Sequence, residues 1–101
     1  MLLRYRVDGQ TIITQTNKSE PRQGSKEYLE LQFLFSSDWA NLNKYVYFQH
    51  GDVSEPKDLE SDIIKVPEYF TEQESFKVTL FGQSTDGRVE VPTNVIEISL
   101  A

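Results

Sequence analysis

The residue types that most often carry out catalysis are scarce in this sequence. The chain has one histidine, His50, and no cysteine, whereas nucleophilic catalysis needs a nucleophile with a base within reach. His50 precedes Gly51-Asp52 at the end of an apolar segment, so we interpret it as a solvated turn residue. We therefore predict that the chain is not an enzyme and that it needs no cofactor.

Three carboxylates alternate along one polar stretch: Asp58, Glu60 and Asp62. In an extended segment they would lie on one face, and oxygen-rich clusters of this kind can bind Ca²⁺. The stretch lacks the glycine and the final glutamate of an EF-hand loop, and a zinc site needs more His or Cys ligands than the chain has. We expect a solvated acidic rim without a bound metal.

The aromatic residues around Trp39 offer the clearest binding chemistry. The single tryptophan lies in a polar turn, "SSDWANLNK", ahead of Tyr45 and Tyr47. Either the three rings form a platform that stacks on a sugar, or the turn folds the indole into the core. Large aromatics dominate the cores of small sandwiches, so we predict a core position for Trp39 and keep the sugar platform as the alternative.

Charge and hydropathy argue against two classes of partner. Sixteen acidic and ten basic residues give a net charge of −6, and the basic residues are scattered along the chain. That sign opposes binding to a phosphate backbone, so we expect no nucleic-acid partner. No apolar run approaches the roughly 18–20 residues that cross a bilayer, so we expect no membrane partner either.

Apolar and polar residues alternate in several segments, which is typical of half-buried β-strands. The strand candidates are 2–7, 11–14, 28–35, 44–50, 62–66, 75–81, 88–91 and 94–100. Asp8-Gly9 and the segment 84–87 have the composition of hairpin turns. The sequence thus predicts one all-β domain over residues 1–101, an immunoglobulin-like antiparallel β-sandwich of about seven or eight strands.

Two polar stretches, 16–27 and 50–62, interrupt this pattern. Surface loops often carry binding residues, so we expect the first stretch to contact a partner. We also expect the first strand and a strand near 50–62 to form sheet edges, where chains can pair. The predicted partner-binding residues are Lys18, Glu20, Arg22, Lys26, Arg4 and Arg6.

The order of the segments resembles a known family. The strand "LQFLF" is followed by a turn with Asp38-Trp39, the strand "YVYF", then Val66-Pro67, Phe81-Gly82 and Pro92-Thr93-Asn94. This order resembles the small β-sandwich domain at the N-terminus of baseplate upper proteins and related virion proteins of tailed phages that infect Gram-positive bacteria. The resemblance covers roughly residues 3–100.

The resemblance implies a structural role: a virion protein, made in the host cytoplasm, that contacts other virion proteins as a tail, baseplate or head-fibre attachment module and joins a larger fibre or baseplate protein to the virion. We also expect a homo-oligomer in the assembly, because charges of opposite sign on opposite parts of a small domain suit a head-to-tail contact. Family members usually continue into a linker and a distal module, whereas this chain stops at its last strand. We therefore expect a stand-alone virion or accessory protein, or an excised domain. Two alternatives stay open: a module that binds host cell-wall glycan, and a small phage protein that binds a host protein.

Overall fold

The computed structural model describes residues 2–14 and 29–100. These residues contain nine β-strands and two short helical segments. The strands are β1 Leu2–Asp8, β2 Thr11–Thr14, β3 Glu30–Phe35, β4 Asn43–His50, β5 Val53–Asp58, β6 Ile63–Lys65, β7 Ser75–Gln83, β8 Glu90–Pro92 and β9 Ile96–Ser99. A 3₁₀ turn, Ser37–Trp39, precedes β4, and helix α1, Glu68–Thr71, precedes β7. Neither described helix has the length and apolar character to cross a bilayer.

The strands form two sheets with a shared core between them. The first sheet has the order β2-β1-β3-β6; the second has the order β5-β4-β7, and β7 pairs with β8 at one end and β9 at the other. On β1, Leu3, Tyr5 and Val7 are buried while Arg4 and Arg6 are exposed, as the alternation predicts. Buried side chains of both sheets join one cluster. The predicted all-β sandwich is confirmed.

Among the described strands, the chain crosses between the two sheets three times. The connections from β3 to β4, from β5 to β6 and from β6 to β7 each change sheet. One pairing departs from the predicted antiparallel arrangement, because β1 and β3 run parallel, in register from Leu2↔Glu30 to Val7↔Phe35. The strand count differs as well, since the described residues hold nine strands rather than about seven or eight.

The strand that the sequence pattern does not predict is β5, inside the polar stretch 50–62. It pairs with β4 at the edge of the second sheet, and almost all of its residues are exposed. An edge strand with both faces in solvent has no reason to alternate apolar and polar residues. Its Pro56 and Lys57 are residues that discourage further strand pairing at an exposed edge.

β1 is an interior strand, so the expectation that it forms a sheet edge is wrong. It pairs with β2 on one side and with β3 on the other. The hairpin between β1 and β2 turns through Gly9, whose φ of +58° is readily adopted by glycine. Arg4 and Arg6 consequently project from the middle of a sheet face. The expected edge near 50–62 is present: β5, which the alternation does not predict, forms an edge of the second sheet, and β6 forms an edge of the first.

Trp39 fills a space between the two sheets. Its side chain is 0% exposed. The indole Nε1 donates a hydrogen bond of 2.7 Å to the carbonyl oxygen of Gly9, and the indole lies 5.1 Å from the ring of Phe35, centroid to centroid. The predicted core position is confirmed. Because neither indole face reaches the surface, Trp39 cannot stack on a sugar.

The segment Pro92-Thr93-Asn94 leads from β8 to β9. It hydrogen-bonds to backbone groups of β7 between the parts of that strand that pair with β8 and with β9. Thr93 donates its backbone N–H to the Leu80 carbonyl, and its Oγ1 accepts from the Leu80 N–H, each at 3.0 Å. Asn94 reaches the first sheet, where its Oδ1 accepts a hydrogen bond of 2.7 Å from Ile12 N–H. These two residues thereby connect the second sheet to the hairpin of the first.

Candidate functional site

The outer face of the second sheet carries a cluster of aromatic side chains. Tyr45 and Tyr47 on β4 lie across from Phe81 and Thr79 on β7. Directly opposed residues share one side of a sheet, and the intervening residues are buried in the core. The rings of Tyr47 and Phe81 meet edge to face, with centroids 5.1 Å apart and planes at 76°. We call the surface formed by Tyr45, Tyr47 and Phe81 the aromatic face.

Carboxylates bound the aromatic face. A groove of about 220 Å³ is lined by Tyr45, Tyr47, Phe81, Gln83 and Glu90. Asp58, at the end of the edge strand β5, lies across from Tyr45. A larger polar groove of about 590 Å³ continues from Tyr45 past Asp58 and Glu60. Lys44 lines the same polar groove, so the aromatic face is an apolar centre with a rim that is mostly acidic.

The geometry of the aromatic face suits a protein partner. Tyr47 is 39% exposed, and apolar surface with a polar rim is common at interaction sites. Aromatic residues are also enriched in protein–protein interfaces. Because the rings of Tyr47 and Phe81 are nearly perpendicular, they do not form the flat double platform on which a sugar would stack. The arrangement favours a protein surface over a stacked sugar.

His50 lies elsewhere on the second sheet, with a structural hydrogen bond. Its Nδ1 donates to the backbone carbonyl of Ser75 at 2.9 Å, which assigns the ring proton to Nδ1 because a carbonyl only accepts. The imidazole also meets the ring of Tyr69 edge to face, at 6.2 Å between centroids. His50 is half-buried, so it is more enclosed than the predicted solvated turn residue.

The three alternating carboxylates are exposed, as predicted. Asp58 ends β5, whereas Glu60 and Asp62 belong to the turn that leads to β6. Asp62 accepts a hydrogen bond of 3.0 Å from the side-chain amide of Gln32. Within residues 2–14 and 29–100, no group of three or more His, Asp or Glu side chains is arranged to hold a metal ion.

The predicted partner-binding residues do not coincide with the aromatic face. Arg4 and Arg6 lie on the first sheet, on the strand β1. The remaining four, Lys18, Glu20, Arg22 and Lys26, lie outside the described residues, and so does the whole stretch 16–27.

Phe81 is the residue of the aromatic face that the sequence interpretation passed over. The alternation in "SFKVTLF" buries Phe76, Val78 and Leu80 and therefore turns Phe81 outward. A large aromatic residue at a position that the pattern assigns to the polar face was the available signal. Tyr45 and Tyr47 carried the same signal on β4, because they lie on either side of Val46, which is buried in the core.

Comparison of the chain with protein-family models, with curated proteins and with solved structures found no match in any of the three.

Proposed function

We propose that this chain is a non-enzymatic structural protein of a tailed-phage virion, and that the aromatic face is the surface through which it contacts other virion proteins. One observation carries the contact surface: Tyr45, Tyr47 and Phe81 form a partly exposed aromatic cluster bounded by carboxylates. The protein would be made in the host cytoplasm and would act in the assembled particle. The virion assignment itself rests on the resemblance of the ordered segments.

The motifs that carry the resemblance have packing roles in this chain. Trp39 is buried against the strand that contains Gly82, and Thr93-Asn94 joins the two sheets. Such motifs support a shared fold, because they hold the sandwich together rather than bind a ligand. A structural role in a particle requires a stable scaffold and a contact surface, and it requires no reactive group.

The test is the composition of purified particles of a phage whose genome encodes this chain. We expect quantitative mass spectrometry to find the protein in a fixed ratio to the major tail protein. A Tyr47→Ala, Phe81→Ala double variant should fold but be lost from the particles. Tyr69→Ala is the matched control, because Tyr69 is 40% exposed and lies on α1, outside the aromatic face. Particles that lack the protein, or that incorporate the double variant normally, would contradict the proposal.

A second candidate function is binding of host cell-wall glycan. The groove that favours it combines tyrosine rings with the amide of Gln83 and the carboxylate of Glu90, groups that can hydrogen-bond to sugar hydroxyls. Since Trp39 is buried, its fluorescence is a poor reporter, and NMR titration with cell-wall glycan fragments is the suitable measurement. Saturable amide shifts at Tyr45, Tyr47 and Gln83 would support glycan binding. Unchanged spectra at millimolar glycan would contradict it.

A further inference from the structure

The rings of the aromatic face are arranged in a way that suits a cation. Tyr47 and Phe81 meet with their planes at 76°, so they form a corner rather than a flat surface. The face of an aromatic ring carries partial negative charge, and it attracts a cation that lies within about 6 Å of the ring centre. Tyr45 lines the same groove. A cation in this corner would therefore contact more than one ring.

The carboxylates beside the rings have no counter-charge. Glu90 is exposed and lines the groove that holds the corner. Asp58 and Glu60 are exposed as well, and they line the polar groove that continues from Tyr45. Among the residues of 2–14 and 29–100, the side chains of these three acids form no ion pair and no hydrogen bond. Their negative charges are available to a partner.

Two basic residues near the aromatic face already have a carboxylate beside them. On β5, Nζ of Lys57 lies 3.1 Å from Oε1 of Glu55. In the turn before β8, Nε of Arg88 lies 4.0 Å from Oδ2 of Asp86. Each positive charge is offset within its own pair, so neither residue neutralises the carboxylates around the rings.

Lys44 is directed away from the outer side of the sheet. It is the register partner of Gly82, which faces the buried indole of Trp39. Its Nζ donates a hydrogen bond of 3.2 Å to the carbonyl oxygen of Leu42 and lies 5.3 Å from the centre of the Phe35 ring. Although Lys44 lines the polar groove, it forms no ion pair with a carboxylate of the described residues.

The remaining charges lie farther from the rings. Lys77 is on the outer side of β7, but it is about 13 Å along the strand from Phe81 and is the register partner of Glu97. The described chain breaks off at Thr14, the end of β2, and resumes at Leu29, directly before β3. Both strands belong to the first sheet, across the core from the rings. The surroundings of the aromatic face are therefore negative.

We propose that the aromatic face binds an arginine side chain of a partner protein, with the guanidinium in the corner between Tyr47 and Phe81 and hydrogen-bonded to Glu90. This inference rests on the proposed function, because it states the chemistry of the virion protein that the contact surface receives. A second basic residue of the same partner segment would face Asp58 and Glu60 in the polar groove.

The chemistry of the groove selects arginine among the cations. The guanidinium is planar and weakly hydrated, so it stacks on aromatic rings and makes paired hydrogen bonds to a carboxylate, whereas the lysine ammonium is a strongly hydrated point charge. The groove holds about 220 Å³, which is below the roughly 300 Å³ at which pockets for drug-sized ligands begin. It therefore suits one side chain of a larger partner.

The test is an NMR titration of the full chain with a short capped peptide, Gly-Arg-Gly-Arg-Gly. Two further peptides carry lysine or citrulline in place of arginine; citrulline keeps the shape of the side chain and has no charge. Glu90→Gln removes the carboxylate charge, and Phe81→Leu removes one ring but keeps an apolar residue. Glu97→Gln is the matched control, since Glu97 is an exposed carboxylate on the same side of the sheet.

We expect the arginine peptide to shift the amide signals of Tyr45, Tyr47 and Phe81 saturably, with a dissociation constant of about 1 mM. The binding is weak because an exposed cation–π contact and a surface ion pair each contribute little. The citrulline peptide should bind at least about tenfold more weakly and the lysine peptide about threefold more weakly.

The variants should separate a specific site from general attraction between opposite charges. Glu90→Gln and Phe81→Leu should each weaken binding of the arginine peptide at least about threefold. Glu97→Gln should leave it within about 1.5-fold of the wild type, because its carboxylate lies beside Lys77 rather than beside the rings.

Several outcomes would overturn the inference. One is the absence of saturable shifts at about 10 mM arginine peptide. Another is equal binding of the arginine peptide and either the citrulline or the lysine peptide. Equal losses for Glu90→Gln and Glu97→Gln would show general electrostatic attraction without a site. Shifts of the same amides with protein concentration, in the absence of peptide, would assign the surface to a second copy of the chain.

This inference and the proposed function fail separately. Particles that lose the Tyr47→Ala, Phe81→Ala variant but incorporate Glu90→Gln normally, with no peptide binding in solution, would reject the arginine and leave the proposed function standing. Specific binding of the arginine peptide by a protein that is absent from particles would do the reverse.

Discussion

Gly82 and Trp39 are in such close contact that a single added carbon would not fit between them. A β-carbon on Gly82 would lie 2.7 Å from Cζ3 of the Trp39 indole and 2.9 Å from its Cε3. It would also lie 2.8 Å from Cδ1 of Leu42. The second sheet therefore accommodates the buried indole only because β7 has no side chain at this position.

Replacing Gly82 with alanine should destabilise the protein by about 1–3 kcal/mol, the range for overpacking a filled core. Chemical denaturation of wild type and variant measures this free energy of unfolding. Thr79→Ala is the control on the same strand, since Thr79 faces outward across from Tyr47. In a double-mutant cycle, Trp39→Phe should relieve part of the cost of Gly82→Ala. Costs that simply add would show that the indole is not the obstacle.

Removing the indole should cost more. We expect Trp39→Ala to lower the free energy of unfolding by about 3–5 kcal/mol, as deletion of a buried large aromatic does. The same burial predicts blue-shifted tryptophan emission in the native wild type and a red shift on unfolding. A loss below about 1 kcal/mol, together with red-shifted native emission, would contradict the core position of Trp39.

The Thr93 hydroxyl should contribute through its hydrogen bond to β7. Thr93→Val keeps the shape of the side chain but leaves the Leu80 N–H without its 3.0 Å acceptor. An unsatisfied donor of this kind costs about 1–3 kcal/mol. Thermal unfolding should show a lower melting temperature for Thr93→Val and almost no change for Thr79→Val. Equal effects of the two substitutions would mean that the hydrogen bond contributes nothing specific.

Stability should fall at high pH because of Tyr5. Burial raises the pKa of the Tyr5 phenol to about 12, whereas an unfolded tyrosine titrates near pH 10. Between these values the unfolded chain has lost the proton and the native chain retains it. The contribution of Tyr5 is therefore complete below pH 10 and disappears as the pH rises to about 12. Tyr5→Phe should show a shallower decline over this interval; parallel curves for the two proteins would rule out the contribution of Tyr5.

The sequence predicts which side chains of a strand face the core, whereas it does not predict which strands pair with each other. Alternation assigns Leu3, Tyr5 and Val7 to the core whatever strand lies beside them. It carries no information about direction, so the parallel pairing of β1 with β3 was hidden. The strand β5 was hidden for another reason, since an edge strand exposed on both faces has no apolar alternation.

The candidate site was only partly predictable for a related reason. Trp39, Tyr45 and Tyr47 are neighbours in the sequence, yet the turn before β4 buries the first and the strand exposes Tyr47. Phe81 joins the tyrosines through the register of β4 with β7, a relationship between residues more than thirty positions apart. Proximity in the sequence suggested a cluster of Trp39 with the two tyrosines, whereas in the sheet the third aromatic residue beside the tyrosines is Phe81.

Hydroxyl-radical footprinting of the protein, free in solution and in purified particles, tests the aromatic face most directly. Tyr47 and Tyr69 are almost equally exposed, at 39% and 40%, so the two rings should oxidise at similar rates in the free protein. In particles we expect oxidation of Tyr47 to fall at least about tenfold while Tyr69 stays within about twofold of its free rate, because an interface core excludes water. Equal oxidation of both tyrosines in the particle would contradict the aromatic face as the contact surface.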